Sequence, residues 1–287
     1  MDIKILVCFH KDSVIISDDV YTPIHVGKSN SQIKLPMIGD NTGDNISELN
    51  GLFCELTGLY WGWKNLSADY IGLSHYRRLY AFPSFLDFCN SIRNRLRYLC
   101  YKAFFTLTRP SANFMGYSYV RKINNENILI ESSNVFTRDL QRYIEKYPET
   151  KAFALQPVHI GNLTNYHFSS MVSGSCHINY VETVTKDFFP HLYPYLEKTL
   201  KDNKLYYANM VIMKKEVLDD YCTFLFDVLM KHLSWCLDEK IVSSREDKAI
   251  SRLMGYIAEV LTSAYILYLK ESYGSRSVKL LTMLKYE

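Results

Sequence analysis

Residues 54–80, CELTGLYWGWKNLSADYIGLSHYRRLY, join an aromatic helical pattern to a short apolar strand that stops in a basic cluster, His75, Tyr76, Arg77 and Arg78. A strand that ends this way delivers its charge to a cleft. The guanidinium fork matches phosphate oxygens bidentately, so the cluster suits an anionic ligand, with a nucleotide diphosphate as the leading candidate.

Working outward, IKILVCF at 3–9 reads as a buried opening strand that stops at His10 and Lys11. The polar loop 38–50 follows, with Gly39, Gly43 and several Asp and Asn residues that favour turns. Ser47, Glu48 and Asn50 supply caps for one helix over 52–65, and 70–74 reads as the next strand. Further on, the pattern predicts a short strand at 128–130 and a helix over 137–147 closed by Pro148. A helix over 181–200 is interrupted by Pro190 and Pro194, a strand falls at 210–213, and helices cover 217–233 and 250–269, the last apolar all round and therefore buried. Strands alternating with helices predict one α/β domain over 1–287, a mixed central sheet flanked by helices.

The chain has 287 residues with 48% apolar content, enough for one large core. A net charge of +3 is too mild for a nucleic-acid binder. Its 7 cysteines are scattered without a CxxC pair, as in a reduced, cytoplasmic protein. Asp2 and Lys4 precede an apolar run too short for a signal peptide, and no segment approaches a membrane span. From 88 to 125 the chain has no acidic residue, yet it carries Arg93, Arg95, Arg97, Lys102, Arg109, Arg121 and Lys122 among aromatic and aliphatic residues. This insertion reads either as a basic amphipathic helix lying on a membrane surface through 92–122 or as a packed helix with a solvated basic side.

The usual sequence signals for dinucleotides, P-loop nucleotides, zinc proteases and α/β-hydrolases are all missing. The strings IKILVCFHK, YTPIHVGK, IGDNTGDNIS, CELTGLYWGWKN, ADYIGLSHYRRLY, LYYANMVIMKKE and SRLMGYIAE, in that order, resemble a bacterial capsular and exopolysaccharide biosynthesis family whose domain long had no assigned function. The resemblance covers 3–87 and 127–269. It implies a GT-A-like fold and, from the assignment of some members, galactofuranosyl transfer from a UDP-sugar to a lipid-linked saccharide in capsule, exopolysaccharide or O-antigen synthesis. It also implies a place at the cytoplasmic face of the inner membrane.

In GT-A enzymes a strand commonly ends in Asp-x-Asp, whose carboxylates hold a metal on the diphosphate. Here that position reads His75-Tyr76-Arg77. The resemblance therefore implies metal-independent transfer, with Arg77 and Arg78 stabilising the leaving group and His75 as a donor or ligand. The same comparison implies a nucleoside pocket at His10, Lys11, Tyr21 and His25, with Asp44 and Asn45 as sugar or ribose contacts and Asn209 beside the sugar. Tyr21 and His25 have packing, and the loop residues turn formation, as their plainer readings. An inverting transferase needs a general base. Glu182 and Asp247 are the preferred candidates, and Glu259, on an apolar helix with Arg252 two turns earlier, reads as a structural carboxylate. A non-catalytic sugar-nucleotide or glycan-binding protein is the alternative. A phosphotransferase would add metal-binding carboxylates that are not evident.

Overall fold

The computed structural model describes residues 1–85, 87, 89, 92, 93, 96, 120–160, 164, 175–239 and 252–287. Strand β1 (Ile3–Phe9) alternates between two cores. Leu6 and Cys8 enter one, and Ile3, Ile5, Val7 and Phe9 enter the other. A strand buried on both faces is the signature of a sheet covered by helices on each side.

The remaining strands are β2 (Tyr21–His25), β3 (Ile38–Gly39), β4 (Tyr70–His75), β5 (Arg78–Ala81), β6 (Val120–Ile123), β7 (Ala152–Leu155), β8 (Val158–His159), β9 (Lys204–Leu205), β10 (Val211–Lys214) and β11 (Val278–Tyr286). The main sheet runs β10-β7-β11-β5-β4-β1-β2-β3, with β6 alongside β11 and a further pairing of β10 with β4. β1 is parallel to β2 and β4, whereas β10 and β5 run antiparallel to β4, so the sheet is mixed as expected. β8 and β9 form a separate small ribbon.

The helices are α1 (Asn50–Phe53), α2 (Leu56–Asn65), α3 (Glu126–Lys146), α4 (Cys176–Phe188), α5 (Tyr193–Lys201), α6 (Lys215–Asp238) and α7 (Leu253–Tyr273). Gly58 and Gly62 let α2 lie close on the sheet. A Cβ on Gly58 would meet Cys8 Sγ at 2.9 Å, and one on Gly62 would meet Leu6 Cδ1 at 2.5 Å. On the opposite face α3 buries Leu129, Ser133, Phe136, Leu140 and Ile144, one side of a 3.6-residue repeat.

Several boundaries differ from the sequence expectation. The helix expected over 52–65 is broken at Cys54, whose φ of 52° separates α1 from α2. No strand forms at 128–130. Asn125 instead caps α3 by accepting the Ile128 N–H at 3.2 Å, which commits those residues to the helix. The 181–200 region is two helices, with Pro190 in the gap and Pro194 in the first turn of α5, where proline is tolerated. β11 was not anticipated, although it joins β5, β6 and β7.

Most of the basic insertion lies outside the described residues. Its end does not continue as a helix: residues 120–123 form β6, with Arg121 paired to Asp87 at 2.6 Å and Lys122 to Glu287 at 2.8 Å. Among the described residues no helix is long and apolar enough to cross a membrane.

Candidate functional site

Parallel pairing of β1 with β4 places Cys8 opposite His75, so both strands end at the same edge of the sheet. The Tyr76 N–H donates to Cys8 O at 3.2 Å and fixes the turn there. His75 then pairs directly with Arg78, so HYRR is the tight connection from β4 to β5 rather than a loose strand end. Ligands of open α/β sheets gather at such carboxyl ends.

The cleft at this edge has a volume of about 400 Å³ and is lined by Lys11, Arg77, Arg78 and Arg252, with His10 and His75 beside them. Among the described residues its one lining carboxylate is Glu55. The Tyr76 ring is the hub. His10 meets it edge-on with centroids 5.3 Å apart, Lys11 Nζ lies 5.6 Å from its centroid, and Arg77 Cζ lies 5.7 Å from it. Burial, then Lys11, Arg77 and Arg252, lower the pKa of His10. Burial and Arg77 also lower that of Arg78, against the opposing pull of Glu55 and Glu259. Among the described residues, positive charge is thus crowded here beyond what the carboxylates balance, which is the electrostatics of an anion site.

Glu55 stands where the break at Cys54 puts it. Asn50 Nδ2 holds Cys54 O at 2.7 Å and Thr57 Oγ1 at 3.0 Å, which braces the reversed backbone. Glu55 Oε1 accepts from Asn209 Nδ2 at 2.8 Å and lies 3.9 Å from His75 Nε2. His75 Nε2 is also 3.3 Å from Ala208 O, and the tautomer protonated there donates to it. Burial lowers the His75 pKa more than Glu55 raises it, so the ring is neutral.

Behind Glu55 lies Glu259 of α7, which accepts the Ala208 N–H at 2.8 Å. Burial raises its pKa to about 8. The Ala208 hydrogen bond opposes that rise, Glu55 adds to it, and Arg78 and Arg252 oppose it. Burial and Glu55 also push the Cys54 thiol up to about 12, which removes it as a nucleophile at neutral pH.

Among the described residues the non-glycine positions with positive φ are Cys54, Ala208, Asn209 and Arg252. All four belong to this cleft or to its supporting hydrogen bonds. Strained backbone concentrates where geometry is set by function. Arg252 also precedes the first turn of α7, so the positive end of that helix dipole adds to the cluster.

The structure therefore brings together His10, Lys11, His75, Arg77 and Arg78 in the lining, with Asn209 as a buried support for Glu55. Tyr21 is not in the lining; it is fully buried in the opposite core against Phe136. His25 is buried at the end of β2 with Nε2 lacking a hydrogen-bond partner, outside the lining. Asp44 and Asn45 serve their own loop. Asp44 accepts from Tyr60 Oη at 3.2 Å, and Asn45 bonds Gly43 O and the Ser47 N–H. Asp40 is wholly buried and collects the Gly27 and Lys28 N–H groups and the Ser47 and Thr57 hydroxyls.

Glu182 sits on α4 near Glu197 and Lys201 of α5, not in the cleft. Burial, then Glu197, raises its pKa. Asp247 lies outside the described residues. Sequence reasoning sets Glu55 beside the arginines as an ion-pair partner rather than as a base, and it does not find Arg252 as a cleft cation. The positive-φ turns that aim both leave no trace in hydrophobic periodicity.

An α/β protein with a mixed sheet and a cationic cleft at its strand ends is the class that fold and site define. The chain belongs to the family described as a domain of unknown function (DUF4422), whose model matches residues 4–271. No curated protein matches it. Among solved structures it is similar to the apo structure of WbbM, a bifunctional glycosyltransferase, with a TM-score of 0.78 and 24% identity over 100% of this chain and 46% of that one. The chain thus spans about half of that protein, and the likeness is one of fold.

Proposed function

We propose that this protein transfers a glycosyl group from a nucleoside diphosphate sugar to a saccharide hydroxyl without a divalent metal at the diphosphate. The observation that carries the reading is the convergence of Lys11, Arg77, Arg78 and Arg252 on a cleft that, among the described residues, has Glu55 as its one lining carboxylate. Mg²⁺ is held by several hard oxygen ligands, and this donor set does not fit it. Guanidinium groups supply the same neutralisation directly to the departing diphosphate.

In the reaction the acceptor oxygen bonds to the anomeric carbon as the carbon–oxygen bond to the diphosphate breaks. Negative charge grows on the diphosphate and is received by the arginines. The acceptor proton passes to a carboxylate on the opposite side of the sugar, which makes the transfer inverting. Glu55 takes that role in place of Glu182, because it lines the cleft and Asn209 holds its orientation. Neutral His75 donates a hydrogen bond or positions Glu55.

The donor we favour is a UDP-sugar carrying galactofuranose, and the acceptor is a lipid-linked saccharide of a capsule, exopolysaccharide or O-antigen pathway at the inner face of the cytoplasmic membrane. The resemblance of the CELT, HYRR and GYIAE strings supports this reading. It is supported further by the fold shared with a bifunctional glycosyltransferase. The part of the insertion before β6, from about 88 to 119, is assigned to the membrane surface that presents such an acceptor.

The test is a panel of UDP-sugars with a synthetic lipid-linked acceptor, with product followed by mass spectrometry. Product from one donor is expected. Tight binding of a UDP-sugar with no turnover on any acceptor would instead make the protein a sugar-nucleotide-binding component of an assembly complex.

A further inference from the structure

Away from the cationic cleft, three buried side chains that the transfer reaction does not use converge between α4 and α6. His177 lies in the first turn of α4, and His232 and Cys236 lie four residues apart on α6, hence on one face of that helix. His177 is 3% exposed, and His232 and Cys236 are fully buried. His177 Nδ1 is 3.1 Å from His232 Nε2, and Cys236 Sγ is 3.9 Å from each of those nitrogens.

We propose that His177, His232 and Cys236 form a structural zinc site that ties the start of α4 to the end of α6. Two imidazoles and a thiolate are borderline-soft donors that suit Zn²⁺ rather than Mg²⁺ or Ca²⁺. Bond lengths of about 2.3 Å to sulfur and about 2.0 Å to nitrogen in a tetrahedron require N···N edges of about 3.3 Å and N···S edges of about 3.5 Å. The observed triangle differs from that by a few tenths of an ångström. A small shift of each side chain admits the ion.

An ion bound here would take the proton of the Cys236 thiol, because thiols that coordinate zinc are deprotonated. Trp235 stacks on Tyr180 with centroids 4.6 Å apart and meets His177 edge-on, which walls off one side of the cluster. A hydrogen bond between the two rings uses one donor and one acceptor, and Cys236 Sγ also lies 3.6 Å from His232 Nδ1. The fourth position is open to water or to another side chain.

Where the site lies gives it a consequence. Cys236 is in the last turn of α6, and Arg252, which lines the cleft, directly precedes α7, the next described helix. Zinc would anchor the end of α6 without touching substrate, so the proposal stands or falls independently of the transfer reaction.

The experiment uses full-length protein purified without a metal-affinity tag from zinc-supplemented medium. Elemental analysis should find about one zinc per chain. Replacement with Co²⁺ should give a thiolate-to-metal charge-transfer band in the near ultraviolet and tetrahedral bands in the visible. C236S should lose the charge-transfer band and H232Q should lose zinc, whereas C222S, which alters a buried cysteine on the same helix outside the cluster, should keep both. Wild-type protein that is folded by circular dichroism yet takes up neither zinc nor cobalt would overturn the proposal, whatever the variants do. So would a folded C236S protein that retains the band.

Discussion

Asn209 Nδ2 donates to Glu55 Oε1 at 2.8 Å and to Gly255 O at 3.1 Å, so one buried amide joins the approach to β10, the start of α2 and the first turn of α7. Asn209 does this from a left-handed conformation with φ of 51°, a region that asparagine tolerates better than most residues. Its Oδ1 has no hydrogen-bond partner. Asn209→Ala should therefore lower the melting temperature through a loss of about 1–3 kcal/mol, the cost of breaking a buried polar contact. It should also cut kcat more than KM, because Glu55 loses its orientation. Unchanged kcat in a folded variant would remove Asn209 from the supporting shell.

Glu55→Gln keeps the volume and the Asn209 contact through its oxygen but cannot accept a proton. Loss of a general base typically costs ~10²–10⁴-fold in rate. We expect a fall of that order in kcat with little change in the dissociation constant for the UDP-sugar, measured by calorimetry. A variant with full kcat would return the base role to a residue outside the described cleft, Asp247 among them.

Glu259 gives a pH signature of known sign. Its pKa is raised from 4.5 to about 8 in the folded protein, so between those values the native state holds a proton that the unfolded chain has lost. Stability from this group therefore falls as pH rises through that window and is level above it. The melting temperature of the wild type relative to Glu259→Gln should decline from pH 5 to pH 8, a window set by those two values. A constant difference between the two proteins would contradict the raised pKa.

The basic insertion is assigned to a membrane surface. Liposomes with anionic lipid should co-float with the intact chain, and deletion of 92–109 should reduce that binding. High salt should reduce it too, because juxtamembrane cations act through a screened potential. Equal flotation after deletion would count against this assignment. The deletion stops short of β6, whose Arg121 and Lys122 are already paired with Asp87 and Glu287.

Much of the site was legible in the sequence. Apolar strands that end in charge identified His10, Lys11, His75, Arg77 and Arg78 as neighbours, because parallel strands bring their ends together. What escaped was set by local backbone reversals. Nothing in the continuous helical pattern of 52–65 announces the break at Cys54, and that break is what turns Glu55 into the cleft. Arg252 reads as a helix residue that partners Glu259 until its φ of 72° is known. Tyr21 looks like a ligand contact from its place after β1, yet its ring is needed to fill the core beside Phe136. β11 went unread because its burial depends on β5, β6 and β7, all distant in sequence. Glu182 was chosen for its proximity to a histidine-rich segment, and tertiary packing turned it toward α5.

The central claim is that arginines, not a metal, neutralise the leaving diphosphate. Initial rates of UDP-sugar turnover should be measured before and after a brief EDTA treatment that leaves tightly held zinc in place, with Mg²⁺ or Mn²⁺ then restored. The same assay should be run on Arg77→Ala and Arg78→Ala. Equal rates are expected with and without the chelator, and each arginine variant should show a fall of about 10²–10³-fold in kcat, the size seen when one preorganised charge-stabilising donor is lost. Activity abolished by EDTA and recovered with Mg²⁺ or Mn²⁺, together with arginine variants that turn over normally, would contradict the claim.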